Sequence, residues 1–279
     1  MSKRRDLETQ IHSLSEIKEI MNAMKNLSLM ETHRLSRFLD TQHRVVTSIE
    51  SAADDFLSFY PHLVPREEES RDVYLLVGSE RGFCGDFNDS LVRALDSHSQ
   101  VAQEAAVFVI GNKLAGKLAG DRRIAAFLDG ASVAEEVEPV LIRLMETLTG
   151  PKARHVGNGP LRLTVFHHAA NEETVMVSTL RPFRRRESEN TRFAYPPLLN
   201  FKPQSFLAGL VEQYLFAALH ELLYSSLMAE NQRRMQHMDS AVRRLERTSS
   251  DLLLRRNILR QEEITEVIEI IMLSVEALE

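Results

Sequence analysis

Apolar residues recur at every third or fourth position between Pro203 and Glu279, which is the spacing of one face of an amphipathic helix. The clearest of these positions are Met235, Met238, Val242, Leu245, Ile264, Val267 or Ile268, Ile271, Val275 and Leu278. No glycine or proline follows Gly209, so nothing in the sequence interrupts the helix. At about 1.5 Å per residue it would extend for about 110 Å, beyond the diameter of a domain of this size. Such a helix must pack against a partner along its length.

The N-terminal segment provides a partner helix of the same kind. Met1–Tyr60 contains no glycine or proline, and all 11 glycines and 9 prolines lie between Pro61 and Gly209. Its apolar residues follow the spacing of a coiled-coil seam. They are Leu7, Ile11, Leu14, Ile17, Met21, Met24, Leu27, Val45, Ile49, Ala52 and Phe56. Because both helices leave the same central segment, we expect them to form an antiparallel coiled coil.

The central segment alternates between strand patterns and helix patterns. Uninterrupted apolar runs predict strands buried on both faces, and alternating runs predict half-buried strands. The predicted strands are Val73–Val77, Ala106–Ile110, Leu161–Phe166 and Thr174–Leu180, and the predicted helices between them are Phe87–Asp96 and Glu135–Leu148. Strands separated by helices indicate an α/β layer with a small, largely parallel sheet.

The predicted fold class is therefore α/β, with an antiparallel coiled coil of long N- and C-terminal helices flanking a small, largely parallel α/β domain. The two segments without glycine or proline set the predicted boundaries. We place the N-terminal coiled-coil helix at residues 1–60, the central α/β domain at 61–202 and the C-terminal coiled-coil helix at 203–279.

Composition and charge are those of a soluble chain without a bulk preference for nucleic acid. Of the 279 residues, 43% are apolar and 27% are charged, and 34 basic against 40 acidic residues give a formal net charge of −6. This charge disfavours general nucleic-acid binding. The N-terminus is charged and amphipathic, and no window approaches the roughly eighteen continuous apolar residues of a membrane span. We therefore expect neither a signal peptide nor direct membrane insertion.

The segment Gly78–Asp86, which joins the first predicted strand to a helix, has the glycines of a phosphate-binding loop. It lacks both the Gly-x-Gly-x-x-Gly pattern and the Gly-x-x-x-x-Gly-Lys-Ser/Thr pattern, so the lysine that would reach a phosphate is missing. We expect a tight strand-to-helix turn at this position, with no nucleotide and no other cofactor.

Two further candidates for chemistry lack the groups that a reaction or a metal requires. Cys84, the single cysteine, lies near Arg81, but no general base can be tied to it from the sequence. His167 and His168 have no spaced set of carboxylates or cysteines to complete a metal site, and we expect them at a partly exposed strand edge. The sequence thus predicts no catalytic and no metal-binding residues.

The charges of the C-terminal helix are divided into two zones. Eight arginines lie between Asn231 and Arg260, whereas six glutamates and no basic residue follow from Gln261 onward. Most of these side chains fit a solvated helix face. The same pattern is also typical of a shaft held inside a charged protein collar, because arginine forms directed contacts with carboxylates.

Three blocks of sequence make the chain resemble the gamma subunit of F-type ATP synthases. Glu19–Leu27 (EIMNAMKNL) is similar to the family's Ile-Thr-x-Ala-Met-x-x-Val stretch. Val77–Asn88 (VGSERGFCGDFN) is close to Ser-Asp-Arg-Gly-Leu-Cys-Gly-Gly-Leu-Asn, the most specific of the three. Asn257–Glu266 (NILRQEEITE) matches Asn-x-x-Arg-Gln-x-x-Ile-Thr near the C-terminus. The likeness covers nearly the whole chain.

This resemblance implies a rotor subunit that is not itself an enzyme. The coiled coil would turn inside a ring of three alpha and three beta subunits, while the α/β domain holds the epsilon subunit and rests on the membrane c-ring. It would couple ion flow through the membrane sector to conformational cycling of the catalytic beta subunits. The assembled complex would be an ion-translocating ATPase or ATP synthase, peripheral on the cytoplasmic face of the bacterial inner membrane.

The resemblance also implies roles for individual residues. Arg260, Gln261 and Thr265 would make polar contacts to a beta-subunit loop, and Met24 and Lys25 would face the lever region of the beta subunits. The apolar tip of the C-terminal helix would turn in a hydrophobic bearing. Its residues are Ile268, Ile271, Met272, Val275 and Leu278.

The sequence departs from the family pattern at a few positions, and other classes of protein stay open beside the rotor. Asp86 stands where a second glycine is usual, Val267 replaces an acidic residue, and Ser274–Val275 replaces Gly-Ala. These departures suggest a divergent branch, such as an alternative bacterial F-type ATPase. The alternatives are a coiled-coil scaffold with a globular hinge and a nucleotide-dependent α/β enzyme with helical extensions.

Overall fold

The computed structural model describes residues 3–63, 71–98, 106–150, 161–170, 172, 174–180 and 195–276. In the sequence, two long helices flank a segment of short helices and strands. The helices are α1 Lys3–Phe59, α2 Phe87–Ser97, α3 Asn112–Lys117, α4 Val137–Thr149 and α5 Pro203–Glu276. The strands are β1 Arg71–Val77, β2 Ala106–Ile110, β3 Ile124–Leu128, β4 Leu161–His168 and β5 Val175–Leu180.

Both predicted long helices are confirmed, and proline marks an end of each. Helix α1 ends just before Tyr60 and Pro61, because proline restricts the preceding residue and cannot extend the helix. Helix α5 begins at Pro203, a residue favoured in the first helical turn, where its missing N–H has no intrahelical partner to lose.

The sheet is largely parallel, as predicted, with strand order β3-β2-β1-β4-β5. Among the described strand pairings, only β4–β5 is antiparallel. Strand β3 is absent from the sequence-based prediction, because its short apolar run, IAAFL, contains two alanines, which are depleted in strands, and shows no alternation. The four other strands coincide with the predicted ones to within two residues.

Helices cover both faces of the sheet, which explains the continuous apolar runs of the central strands. Leu75 and Phe108 point to the face covered by α4 and part of α5, whereas Leu76 and Val109 point to the face covered by α2 and α3. Successive residues of each strand are therefore buried on opposite sides.

The chain divides into two compact units. The sheet unit is Ser28–Arg234, and the helix-pair unit combines Met1–Leu27 with Met235–Glu279. Helices α1 and α5 thus contribute residues to both units. The division into residues 1–60, 61–202 and 203–279 remains a prediction based on the sequence.

In the sheet unit, α1 and α5 pack antiparallel. Phe38 stacks on Tyr224 with ring centroids 5.5 Å apart, and the side chain of Gln42 donates a hydrogen bond to the carbonyl of Ala217 (3.1 Å). Phe56 packs on Phe206 at 4.8 Å. In these contacts, later residues of α1 meet earlier residues of α5, as antiparallel packing requires.

The same order holds in the helix-pair unit, where ion pairs join the two helices. Lys25 binds Asp239 (2.5 Å), and Lys18 lies 3.7 Å from Glu246. Near the start of α1, Arg4 lies 3.6 Å from Glu263. The predicted antiparallel coiled coil is confirmed in both units.

The predicted seam in the helix-pair unit is wrong at two positions. Ile17 and Leu27 are 42% and 65% exposed, while Lys18 and Lys25 occupy the partly buried positions between the helices. A coiled-coil seam needs steps of three and four residues in alternation. The assigned series took two three-residue steps in succession, from position 11 to 14 to 17, which turns the stripe away from the partner helix.

By length and composition alone, α5 could cross a membrane, since it contains an 18-residue window of mean hydropathy 1.3. A buried core helix passes the same test. In the sheet unit, Ala218, Leu219 and Leu223 of α5 are buried in the main hydrophobic core, which accounts for apolar residues there.

Candidate functional site

The β1–α2 loop, Gly78–Asp86, connects the first strand to α2 by a tight turn that depends on glycine. A Cβ atom on Gly78 would lie 2.3 Å from the Cβ of Leu114, so only glycine allows this close approach to α3. Phe83 has a positive φ of 65° and an exposed ring. A bulky residue rarely adopts this conformation without contacts that hold it there.

Glu80 of this loop engages the amides that could otherwise bind a phosphate. Its carboxylate accepts hydrogen bonds from the backbone N–H groups of Asn112 (3.0 Å) and Gly130 (2.7 Å). The side-chain amide of Asn112 donates a further bond (2.5 Å). These N–H groups follow β2 and β3, at the edge where nucleotide-binding α/β folds hold phosphates. A carboxylate of the chain itself occupies this position.

Two charged residues of α5 are buried against the β1–α2 loop. Glu230 and Arg234 are 3% and 5% exposed and form an ion pair. Glu230 accepts hydrogen bonds from the backbone N–H groups of Glu80 (3.3 Å) and Arg81 (3.4 Å). Arg234 donates from Nε to the carbonyl of Gly82 (3.1 Å). Burial raises the pKa of Glu230, while Arg234 and the two amides act in the opposite direction and favour the carboxylate.

In the sequence, Arg234 looks like the other arginines of the C-terminal helix, and nothing in the charge pattern singles out Glu230. Their burial separates this pair from exposed arginines such as Arg244 and Arg247. The available signal was the spacing itself. A glutamate and an arginine four residues apart lie on one helix face, and here they follow the apolar run that ends at Ala229.

Cys84 is buried at the base of the loop and does not have the surroundings of a nucleophile. Its thiol donates a hydrogen bond to Oγ of Ser79 (3.3 Å), which also accepts one from the side chain of Asn88 (2.8 Å). Burial raises the pKa of Cys84, with a smaller opposing effect from Ser79. A raised pKa disfavours the thiolate that nucleophilic chemistry needs.

The two histidines are buried, so the expectation of a partly exposed strand edge is wrong. Strand β5 pairs with β4 on its outer side, and α2 covers one face. Nε2 of His167 lies 3.0 Å from Oγ of Ser178, and Nε2 of His168 lies 2.9 Å from Oγ of Ser90. As neighbours in a strand they point to opposite faces. Among the residues that the structure describes, no group of three metal-ligating side chains is found.

The predicted beta-subunit contacts lie in the helix-pair unit. Arg260, Gln261 and Thr265 are exposed on α5 and accessible to a partner. Met24 is half-buried, and Lys25 is bound to Asp239. The hydrogen bond from Lys25 is the main cause that lowers the pKa of Asp239. Lys25 is thus engaged between the two helices, and the roles assigned to these five residues stay predictions.

The predicted bearing tip is an exposed apolar end of α5. Apolar side chains between residues 264 and 273 are 49% to 65% exposed and lie all around the helix. They are Ile264, Val267, Ile268, Ile270, Ile271, Met272 and Leu273. Val275 lies in α5, and Leu278 lies outside the described residues. Exposed apolar side chains on every side of a helix are normally covered by protein or lipid.

A family model described as ATP synthase matches residues 3–278 of the chain. The chain is 25% identical to the ATP synthase gamma chain of Lachnoclostridium phytofermentans, over 97% of this chain and 98% of that protein. It is also 25% identical to the gamma chain of a Wolbachia species from Brugia malayi, over 94% of this chain and 93% of that one.

Solved structures show the same fold. A chain of the central stalk and c-ring of Tetrahymena thermophila mitochondrial ATP synthase matches with a TM-score of 0.59 and 14% identity, covering 80% of this chain and 99% of that one. A rotor chain of the Euglena gracilis mitochondrial enzyme matches with a TM-score of 0.57 and 12% identity, covering 94% and 98%. Since the family model spans nearly all residues and the full-length relatives are gamma chains, this chain belongs to the gamma-chain family of ATP synthases.

Proposed function

We propose that this chain is the central-stalk rotor subunit of a rotary F-type ATP synthase. It couples ion flow through the membrane sector to conformational cycling of the catalytic beta subunits. The solved structures with the same fold come from a central stalk with its c-ring and from a rotor. The chain itself is not catalytic, and the assembled complex is the ion-translocating ATP synthase or ATPase.

The observation that carries this proposal is the incomplete packing of the helix-pair unit. Among its described side chains, 4–27 and 235–274, only those of Met238 and Val242 are buried. The apolar residues of the tip stay exposed around the helix, and Ile17, Ile20 and Leu27 face outward on α1. Exposed apolar surface of this extent marks a protein interface. An enclosing collar of subunits accounts for both surfaces.

The proposed partners follow from the relatives and from this surface. Three alpha and three beta subunits surround the helix pair, and the sheet unit contacts the epsilon subunit and the c-ring. Arg260, Gln261 and Thr265 are polar contacts to a beta subunit, with Met24 and Lys25 at its lever region. The residues proposed for the bearing are Ile268, Ile271, Met272, Val275 and Leu278.

We place the assembled complex at the cytoplasmic face of a bacterial inner membrane, with this chain peripheral to the bilayer. Support comes from the bacterial relatives that align along almost the full chain. The charge pattern is compatible with this position, because the described tip of α5 carries glutamates and exposed apolar residues and so suits a protein sleeve.

The test is co-expression of the chain with candidate alpha and beta subunits, followed by purification and assay of ATP hydrolysis and ATP-driven ion transport. We expect a stable complex with one copy of this chain for three beta subunits, and hydrolysis that depends on its presence. A chain that purifies alone as a stable homodimer and does not bind these subunits would overturn the proposal in favour of the scaffold.

The polar contacts are tested within the same complex. Replacing Arg260 and Gln261 together by alanine removes two exposed side chains, so the isolated chain should unfold as the parent does. Transport per ATP hydrolysed should fall. The matched control is Arg122→Ala, which removes an exposed arginine from the sheet unit. Unchanged transport in the double variant would remove these residues from the interface.

A further inference from the structure

The β1–α2 loop is attached to α5 by a buried pair of opposite charges that binds its backbone directly. Glu230 accepts hydrogen bonds from the N–H groups of Glu80 and Arg81, and Arg234 donates to the carbonyl of Gly82. Three consecutive loop residues are therefore held by two residues one turn apart on the helix. The two side chains match the loop backbone, because the carboxylate accepts hydrogen bonds from N–H donors and the guanidinium donates one to a carbonyl acceptor.

A buried ion pair of this kind needs a reason beyond stability. The free-energy cost of removing two charges from water is about as large as the gain from their attraction. Well-packed apolar residues in their place often give the same stability. Arg234 also donates to the side chain of Asn231 (2.9 Å), so the pair is oriented from both sides. Its distinctive effect is geometric, since it fixes where the backbone of residues 80–82 lies.

Glu80 and the buried Cys84 also hold the loop, through Asn112, Gly130 and Ser79, and the contacts from α5 act together with these. Arg81, Phe83, Gly85 and Asp86 are exposed, and Phe83 adopts a left-handed conformation that bulky residues avoid. Such strain persists only where surrounding contacts over-determine the backbone. Within the described residues, the contacts from Glu230 and Arg234 lie immediately before Phe83 in the sequence and hold the chain that leads into it.

We infer that Glu230 and Arg234 are positioning residues that lock the β1–α2 loop onto the part of α5 that belongs to the sheet unit, so that the exposed Phe83 keeps a fixed position on this unit. The consequence for the motor rests on the proposed rotor function: a loop that slipped against the helix would present Phe83 at a variable angle as the stalk turned. The locking itself is a property of the isolated chain and is testable without partners.

Cys84 provides a direct measure of the lock. It is the only cysteine of the chain, it is buried, and it lies within the loop, so a thiol reagent reports how often the loop opens. In Glu230→Gln, which keeps the side-chain shape but removes the charge, we expect labelling of Cys84 in the full chain to accelerate about ten- to hundredfold. Arg234→Lys keeps the charge but loses the planar fork, and we expect a smaller acceleration.

A matched control separates loop opening from general loss of stability. Leu144→Ala creates a cavity between α4 and the sheet, on the face of the sheet opposite Cys84, and leaves the contacts of Glu230 and Arg234 unchanged. In a Leu144→Ala protein with the same thermal stability as Glu230→Gln, the thiol reagent should label Cys84 at nearly the parent rate. Labelling of Glu230→Gln at the parent rate, or at the rate of an equally stable Leu144→Ala protein, would overturn the inference.

Hydrogen exchange on the unaltered chain keeps the test independent of whether the variants fold. The amides of Glu80 and Arg81 lie in a loop, yet both donate to Glu230. We expect their exchange to be slowed about tenfold or more relative to the exposed amide of an unstructured peptide. Exchange at the unstructured rate would overturn the inference. Either result leaves the rotor proposal intact, because that proposal is tested by complex assembly and transport.

Discussion

Met238 is the best single position at which to test how the helix-pair unit is held together. Its side chain is 1% exposed, and with Val242 it forms the buried part of the described unit. Met238→Ala removes the outer atoms of this side chain without introducing charge or a helix breaker, since alanine is the best helix former. Any loss of stability therefore reports the packing between α1 and α5.

The expected loss is about 2 kcal/mol, the low end of the 2–5 kcal/mol range for buried methionine to alanine. The low end applies because a pair of helices with few neighbours can close partly over the cavity, whereas a helix in a dense core cannot. A loss of about 2 kcal/mol corresponds to about a 30-fold change in the opening equilibrium of the pair.

Native-state hydrogen exchange of the full chain measures this change by region. Amides of Lys3–Leu27 and of α5 beyond Met235 should exchange about 30-fold faster, while those of β1 and β2 stay unchanged, because the two units form separate compact bodies. Met272→Ala is the control, since this methionine is exposed and its removal should change stability by less than about 0.5 kcal/mol. Equal acceleration in the sheet strands, or none in the helices, would refute the reasoning.

Three further predictions concern single features. Replacing Phe83 by glycine should stabilise the sheet unit by about 0.5–1 kcal/mol in thermal unfolding, because relief of the left-handed strain exceeds the added chain entropy; a lower melting temperature would contradict this. Burial lowers the pKa of His167 and His168 in the folded state, so stability is full above the ordinary value of 6.5 and falls as pH drops below it. Urea midpoints at neutral and mildly acidic pH measure this loss, and equal midpoints would count against it. Ile271→Glu should leave the isolated chain as stable as the parent, because the side chain is exposed, but weaken binding of alpha and beta subunits in pull-down assays. Glu269→Ala should bind normally, and normal binding of Ile271→Glu would exclude the apolar tip from the interface.

The features that the sequence predicted well are those encoded by local patterns. The absence of glycine and proline from Met1–Tyr60 and after Gly209 leaves helix as the available regular structure, and both helices form. The apolar blocks at Val73–Val77 and Ala106–Ile110 are buried on both faces because helices cover the sheet on each side.

The features that it missed depend on tertiary neighbours. Strand β3 carries a weak pattern and is held by pairing with β2. His167 and His168 look polar in the sequence, yet His168 packs against Phe87 of α2 and His167 bonds to Ser178 of β5, and a local pattern does not reveal such contacts with residues distant in the sequence. Glu230 is 149 residues away in the sequence from Arg81, a loop residue that it binds, so no local pattern connects them.

The misassigned seam has a more specific cause, which also bears on the proposed function. Lys18 and Lys25 lie between the helices and bind acidic residues of α5, while Ile17 and Leu27 face outward. If α1 packed against α5 alone, isoleucine and leucine would be buried between the helices and lysine would be exposed to water. Polar seam positions fix the register of a helix pair at a cost in stability, and outward apolar residues add no stability until another surface covers them. The apolar pattern of α1 therefore combines two interfaces, one with α5 and one with the proposed collar, and a single-seam interpretation of that pattern must fail where the second begins.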